Sequence, residues 1–121
     1  MGLLDETGYP RSTVHISLGV DPPFLTVRLR GELDLSNVDD LREPPHLHRR
    51  DLTTVLLDLG GLTFCDGEGL RALLRFREAH VTRGRRFAAT HIHPRVRQVM
   101  EICGTVDAFP TASPPVLREH P

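Results

Sequence analysis

The apolar positions of this chain follow two periods, and the switches between them outline a fold. Val14, Ile16, Leu18 and Val20 alternate with His15, Ser17 and Gly19, a period of two that predicts a half-buried strand. Asp21-Pro22-Pro23 then turns the chain, because proline fixes φ and withholds a backbone donor. Leu25, Val27 and Leu29 alternate with Thr26, Arg28 and Arg30, so a second strand follows and the pair reads as a hairpin. Ser36 or Asn37 can cap a helix running through Val38 and Leu41; Pro44-Pro45 interrupts it, and a short second piece holds Leu47. Residues 55–59, Val-Leu-Leu-Asp-Leu, are nearly all apolar, as in a central strand covered on both faces.

The period then becomes helical. Over residues 67–83, Leu70, Leu73, Leu74 and Val81 fall inward, while Arg71, Arg75, Glu78 and Thr82 form a wet face. Arg83-Gly84 ends that helix, and residues 87–92 make a fourth strand. Pro94 takes the favoured first position of another helix, whose stripe is Val96, Val99, Met100 and Cys103, and Gly104 stops it. Residues 106–109 make a last short strand. A hairpin followed by alternating helices and strands predicts an α/β sandwich: a mixed sheet of four to five strands with helices mainly on one face. Residues 1–12 and the Pro-rich residues 111–121 lack periodicity and read as flexible tails around one domain, 13–110.

Composition narrows the function. The 121 residues suit a single domain, and a net charge of −1 supplies no basic field for nucleic acid or an anionic membrane. No apolar run approaches the roughly 20 residues that span a bilayer, and the N-terminus lacks the layout of a signal peptide. Cys65 and Cys103 form neither a CxxC nor a zinc-ligand pattern. A cytoplasmic location follows. All fifteen basic residues are Arg, which points to a GC-rich genome such as that of an actinomycete.

The stretch with most to say is Leu62-Thr63-Phe64-Cys65-Asp66-Gly67-Glu68-Gly69-Leu70, between a buried strand and a helix start. With Gly31-Glu32-Leu33-Asp34, Gly84-Arg85-Arg86-Phe87, residues 94–99 and residues 104–110, it resembles STAS domains of the anti-sigma factor antagonist (anti-anti-sigma factor) family. The resemblance covers residues 13–110. It implies a non-catalytic protein-interaction domain that regulates transcription by partner switching, without touching DNA. Its partners would be a Ser/Thr kinase acting as an anti-sigma factor and a PP2C-type phosphatase. In the family the loop reads Asp-Ser-Ser-Gly and the second Ser is phosphorylated; here Gly67 and Glu68 occupy the two serine positions.

Glu68 has no hydroxyl and cannot accept phosphate. It offers one fixed negative charge where relatives toggle between none and about −1.5 to −2. Three readings stay open: a phosphomimetic lock against the kinase, a contact for a partner suited to a carboxylate, or a charge that favours the helix start by about 0.3–1 kcal/mol. The runner-up within the fold is a scaffold or pseudo-phosphorylated decoy without kinase regulation. If the second and third strands are parallel neighbours, Glu32 and Asp34 share an edge with Asp66 and Glu68, and partner contacts are expected at Glu32, Asp34, Asp66, Gly67, Glu68, Gly69 and Arg71. Asp66 reads as a helix N-cap rather than a base, and Gly67 and Gly69 as residues for a close turn and helix packing. Ser36 and Thr63 are substitute phosphate acceptors, though each has a simpler role as cap or loop residue.

Other chemistries fare worse. Were Gly69 the invariant glycine of a calcium loop, the first and last ligands would be Phe64 and Arg75, which cannot coordinate calcium. No P-loop or dinucleotide fingerprint is present, and no cofactor is expected. His46 and His48 lie in a helical region on different faces; His91 and His93 share a strand face but lack a third ligand. Cys65 is either a reactive thiol or a small core residue, and Cys103 fits the core. A thiol- or metal-dependent enzyme is the distant alternative, and no paired nucleophile and base supports it.

Overall fold

In a computed structural model that describes residues 11–112, the two periods become a four-stranded sheet and two helices. The strands are β1 (Val14–Asp21), β2 (Phe24–Leu33), β3 (Thr54–Cys65) and β4 (Arg86–Thr90), in the order β1-β2-β3-β4. β1 pairs antiparallel with β2; β2 with β3 and β3 with β4 are parallel, so the sheet is mixed. The helices are α1 (Gly67–Val81) and α2 (Pro94–Ile102). A parallel neighbour requires a crossover, which residues 34–53 supply between β2 and β3 and α1 supplies between β3 and β4.

Alternation along the strands sorts side chains between two faces. Leu25, Val27, Leu29, Val55, Leu57 and Leu59 are fully buried beside Leu70, Leu73, Phe76, Val96 and Met100 from the helices. Leu56, on the opposite face of β3, is buried but stands outside that core. Phe76, Phe87 and Phe109 make a chain of edge-to-face contacts with centroids 6.3 Å apart, joining α1, β4 and the C-terminal segment.

Several local expectations give way. The helix expected after Ser36 or Asn37 is only a 3-10 turn, Val38–Leu41, and neither residue caps it. Asn37 is 1% exposed because its side chain is drawn into the loop: Oδ1 accepts from the Asp34 amide, and Nδ2 donates to the Ser12 and Glu32 carbonyls. No helix forms around Leu47, where His46 takes φ 54°. β3 continues past residue 59 to Cys65, because Gly60-Gly61 makes an irregularity in the register with β2 rather than an end. β4 stops at Thr90, where His91 turns at φ 56°, so His91 and His93 share no strand face.

Cys103 lies beyond the end of α2 and is exposed, not in the core stripe. Residues 106–108 form another 3-10 turn instead of a strand, and the sheet is extended only by a bridge from Thr111 to Ala89. β1 is paired as expected, yet Ile16, Leu18 and Val20 remain 37–42% exposed. The helices pack mainly over β3 and β4 and leave most of the β1 edge uncovered. Of the expected tails, residues 1–10 and 113–121 lie outside the described residues. Arg11 and Ser12 are tied to the β2–β3 crossover, and Ala112 donates its amide to the Ala89 carbonyl.

Candidate functional site

Because β2 and β3 are parallel and in register at Leu33 and Cys65, both strands deliver their carboxyl ends to one edge. That edge carries Glu32 and Asp34 from β2 and the following loop, and Asp66 and Glu68 from the start of α1. The juxtaposition rests on the two strands being neighbours.

Asp66 is the joint of the site. Its extended backbone precedes the first turn of α1, and Oδ1 accepts a 2.7 Å hydrogen bond from the Gly69 amide, the N-cap arrangement expected. Its other oxygen accepts from the Leu35 amide at 3.3 Å, and its own amide donates to the Leu33 carbonyl. One carboxylate therefore fastens the β2 loop to the helix. Gly69 is the second constraint: a Cβ there would sit 2.4 Å from the Leu33 carbonyl oxygen and 2.9 Å from the Cys65 sulfur. Gly67 differs, since a Cβ at that position meets nothing within 4 Å.

Asp34 is equally committed. Its carboxylate accepts from the hydroxyls of Ser12 and Ser36 and from the Ser36 amide. Burial alone would push its pKa up, but these three hydrogen bonds outweigh it and hold the group below the ordinary carboxylate value. The Ser36 hydroxyl belongs to the same network, accepting from the Ser12 amide at 2.9 Å. Thr63 is exposed, and its hydroxyl donates to the Gly31 carbonyl.

Glu32, Glu68 and Arg71 present their charges outward. Glu32 is exposed beside Phe64 in the register. The Glu68 side chain is 44% exposed, and Arg71, one turn on, approaches it only to 3.9 Å. Such a surface pair contributes little, on the order of 0.3–0.5 kcal/mol. Two residues missed by sequence reasoning complete the surface: Leu35 is 68% exposed and Phe64 44% exposed. The available signal was their apolar character inside an acidic, polar stretch. Ser12 was also missed, because its partners lie more than twenty residues away.

The thiol and metal readings find little geometry. Cys65 is 2% exposed, and burial followed by the nearby Asp66 charge pushes its thiol up to about 12. His93 caps α2, Nδ1 accepting from the Arg95 amide, and His46 and His48 sit in the irregular crossover rather than in a helix. Among the described residues no group of three or more His, Cys, Asp or Glu is placed to hold a metal ion. No helix among them is long and apolar enough to cross a membrane.

Solved structures share this architecture. The anti-sigma factor antagonist SpoIIAA in its unphosphorylated form is 24% identical with a TM-score of 0.67, covering 82% of this chain and 89% of that one. An anti-sigma factor antagonist from Mycobacterium paratuberculosis is 16% identical with a TM-score of 0.67, covering 88% and 90%. The murine anion transporter Slc26a9 is 20% identical with a TM-score of 0.65 over 78% of this chain, but only 17% of the transporter. At these identities the likeness carries the fold, α/β with a four-stranded mixed sheet and two helices. Residues 19–109, most of the chain, match the family model described as Mlab, STAS domain, and the chain belongs to the STAS domain family.

Proposed function

We propose that this protein is a non-catalytic binding module of the anti-sigma factor antagonist type, and that it meets its partner through the β2–β3 edge and the first turn of α1. The observation that carries the reading is the exposure of Glu68 at the helix start, beside the exposed apolar side chains Leu35 and Phe64. Apolar anchors within a charged rim are the usual composition of a recognition surface. Glu32, Glu68 and Arg71 supply that rim, while Asp34, Asp66 and Gly69 shape it from beneath.

The partner is a Ser/Thr kinase acting as an anti-sigma factor, and the setting is cytoplasmic partner switching. Glu68 holds one permanent negative charge where a phosphorylatable serine stands in relatives, so kinase capture is weak and insensitive to ATP. A PP2C-type phosphatase then has no substrate at this position. Thr63 is the more accessible of the two substitute hydroxyls, since Ser36 is enclosed by its hydrogen bonds.

The test is capture from the native lysate, comparing wild type, Glu68→Ser and Leu35→Asp. A Ser/Thr kinase retained by Glu68→Ser and lost from wild type supports the lock. Equal capture by wild type and Glu68→Ser, abolished by Leu35→Asp, leaves the surface intact and removes the lock. Capture of membrane-transport components instead of a kinase favours the second reading, a regulatory module for a transporter, to which the likeness to Slc26a9 lends weight.

A further inference from the structure

At the opposite end of the strands, residues 47–53 leading into β3 face the turn between α1 and β4 across a cleft of about 490 Å³. His48, Arg49, Arg50, Arg83 and Arg85 line it, with Thr53, and no carboxylate does. The two walls are far apart in sequence but are held together where the Arg86 amide donates to the Thr53 carbonyl at 2.9 Å.

Arg85 forms the base of this cleft and is only 7% exposed. Its Nη2 donates to the carbonyls of His46, Leu47 and Arg49 at 2.6–3.1 Å, and its Nη1 meets His80 Nδ1 at 2.9 Å. A buried guanidinium is held here by carbonyl dipoles and a histidine; it forms no ion pair among the described residues, and the opposing charge acting on it is that of Asp51, which Arg49 already engages. Burial, and next the charge of Arg83, pull its pKa below the ordinary guanidinium value. Arg49 is matched by Asp51 through two hydrogen bonds, but Arg50 and Arg83 are exposed and form no ion pair among the described residues. Arg50, Arg83 and Arg85 thus line one concavity that has no carboxylate in its lining.

We propose that this cleft binds a phosphate-bearing anion. Guanidinium groups match phosphate oxygens through paired N–H donors, and an anion seated between the walls relieves the repulsion among Arg50, Arg83 and Arg85. The volume lies within the roughly 300–1,000 Å³ of small-ligand sites. The charged lining argues against an apolar ligand, and a chain of net charge −1 against an extended nucleic acid. The site stands at the far end of the sheet from Glu68 and is independent of the partner surface proposed there.

Titration calorimetry with pyrophosphate tests this at about 150 mM salt, where charges beyond about 8 Å are screened. Saturable one-to-one binding by wild type is expected, weakened about tenfold or more in Arg50→Ala/Arg83→Ala, a loss of about 1.4 kcal/mol. Both side chains are exposed and form no ion pair among the described residues, so the thermal midpoint of the ligand-free variant does not fall. Arg71→Ala, at the other end, leaves binding intact. Absence of saturable binding, or equal losses in Arg71→Ala and the double variant, overturns the proposal. Sedimentation with phosphatidic acid vesicles distinguishes the phosphate's source. Co-sedimentation competed by pyrophosphate places it on a lipid headgroup, and pyrophosphate binding without co-sedimentation places it on a soluble ligand.

Discussion

The two ends of the sheet are built on one plan with opposite charge. At the carboxyl end, Asp34 and Asp66 are consumed in bracing the loop and capping α1, and Glu32 and Glu68 are left facing outward. At the amino end, Arg85 is consumed in holding residues 46–49, and Arg50 and Arg83 line the cleft exposed and without an ion pair among the described residues. A net charge near zero conceals this separation. At both ends the charges that make several hydrogen bonds are held within the fold and the ones that make none stay exposed, whatever their sign.

The largest expected effect comes from removing the amino-end brace. Arg85→Ala leaves three backbone carbonyls and His80 Nδ1 without their donor. One buried and three part-buried acceptors orphaned together cost about 3 kcal/mol in total. Urea unfolding measures the loss, and tryptic cleavage after Arg49 and Arg50 should accelerate as the crossover loosens. A change smaller than about 1 kcal/mol would show that Arg85 is not the brace and that the two ends are built differently.

His80 sharpens the comparison through pH. It is fully buried against Phe76, 4.9 Å between ring centroids, and faces the Arg85 charge. Burial first, and then Arg85, lower its pKa from 6.5 to about 4. Because the unfolded chain takes up this proton near pH 6.5 and the folded chain does not, stability falls as pH drops from about 6.5 to about 4. The loss is about 3 kcal/mol, and none is due to His80 above that window. Asp34, with its lowered pKa, acts in the same direction but in a lower window, its contribution being lost as pH falls through the usual carboxylate value of 3.8 and below. Unfolding free energies from pH 7 to 4 should therefore report the amino end alone, and His80→Gln should flatten them.

Much of this layout was legible in the sequence, and the illegible parts share a cause. Periods of two and 3.6 marked the hairpin, α1 and α2, since burial on one face writes itself into local order. The glycine and acidic loop after β3 marked the cap at Asp66 and the shared strand edge where the candidate site is placed. The amino-end cleft was invisible, because its walls meet only through the parallel pairing of β3 and β4. Asn37 misled for the same reason: a good local cap, it is claimed by Ser12, which only tertiary structure brings near. Ile16, Leu18 and Val20 showed the right period, but periodicity cannot reveal that the helices leave most of that edge uncovered.

The carboxyl end is expected to be sensitive through packing rather than charge. Gly69→Ala forces a methyl group to within 2.4 Å of the Leu33 carbonyl oxygen, and overpacking of this kind costs about 2 kcal/mol. The shift separates the end of β2 from α1 and should also weaken partner capture. Urea unfolding of the variant checks the first expectation, and the lysate capture described above checks the second.

Gly67→Ala is the smallest effect and the most discriminating. Its neighbour two residues on is hemmed by backbone and sulfur, whereas a Cβ at Gly67 points into open space. An alanine in the first turn of α1 restricts the unfolded chain without straining the folded one, so the variant should gain about 0.5 kcal/mol. A gain together with unchanged partner capture means that the bare backbone at Gly67 is not part of the recognition surface, and that Glu68 and the apolar pair carry it. A gain in stability with lost capture means the opposite. The partner then approaches the helix start so closely that a single methyl group excludes it, and the glycine at this position is a contact rather than a vacancy left by a serine.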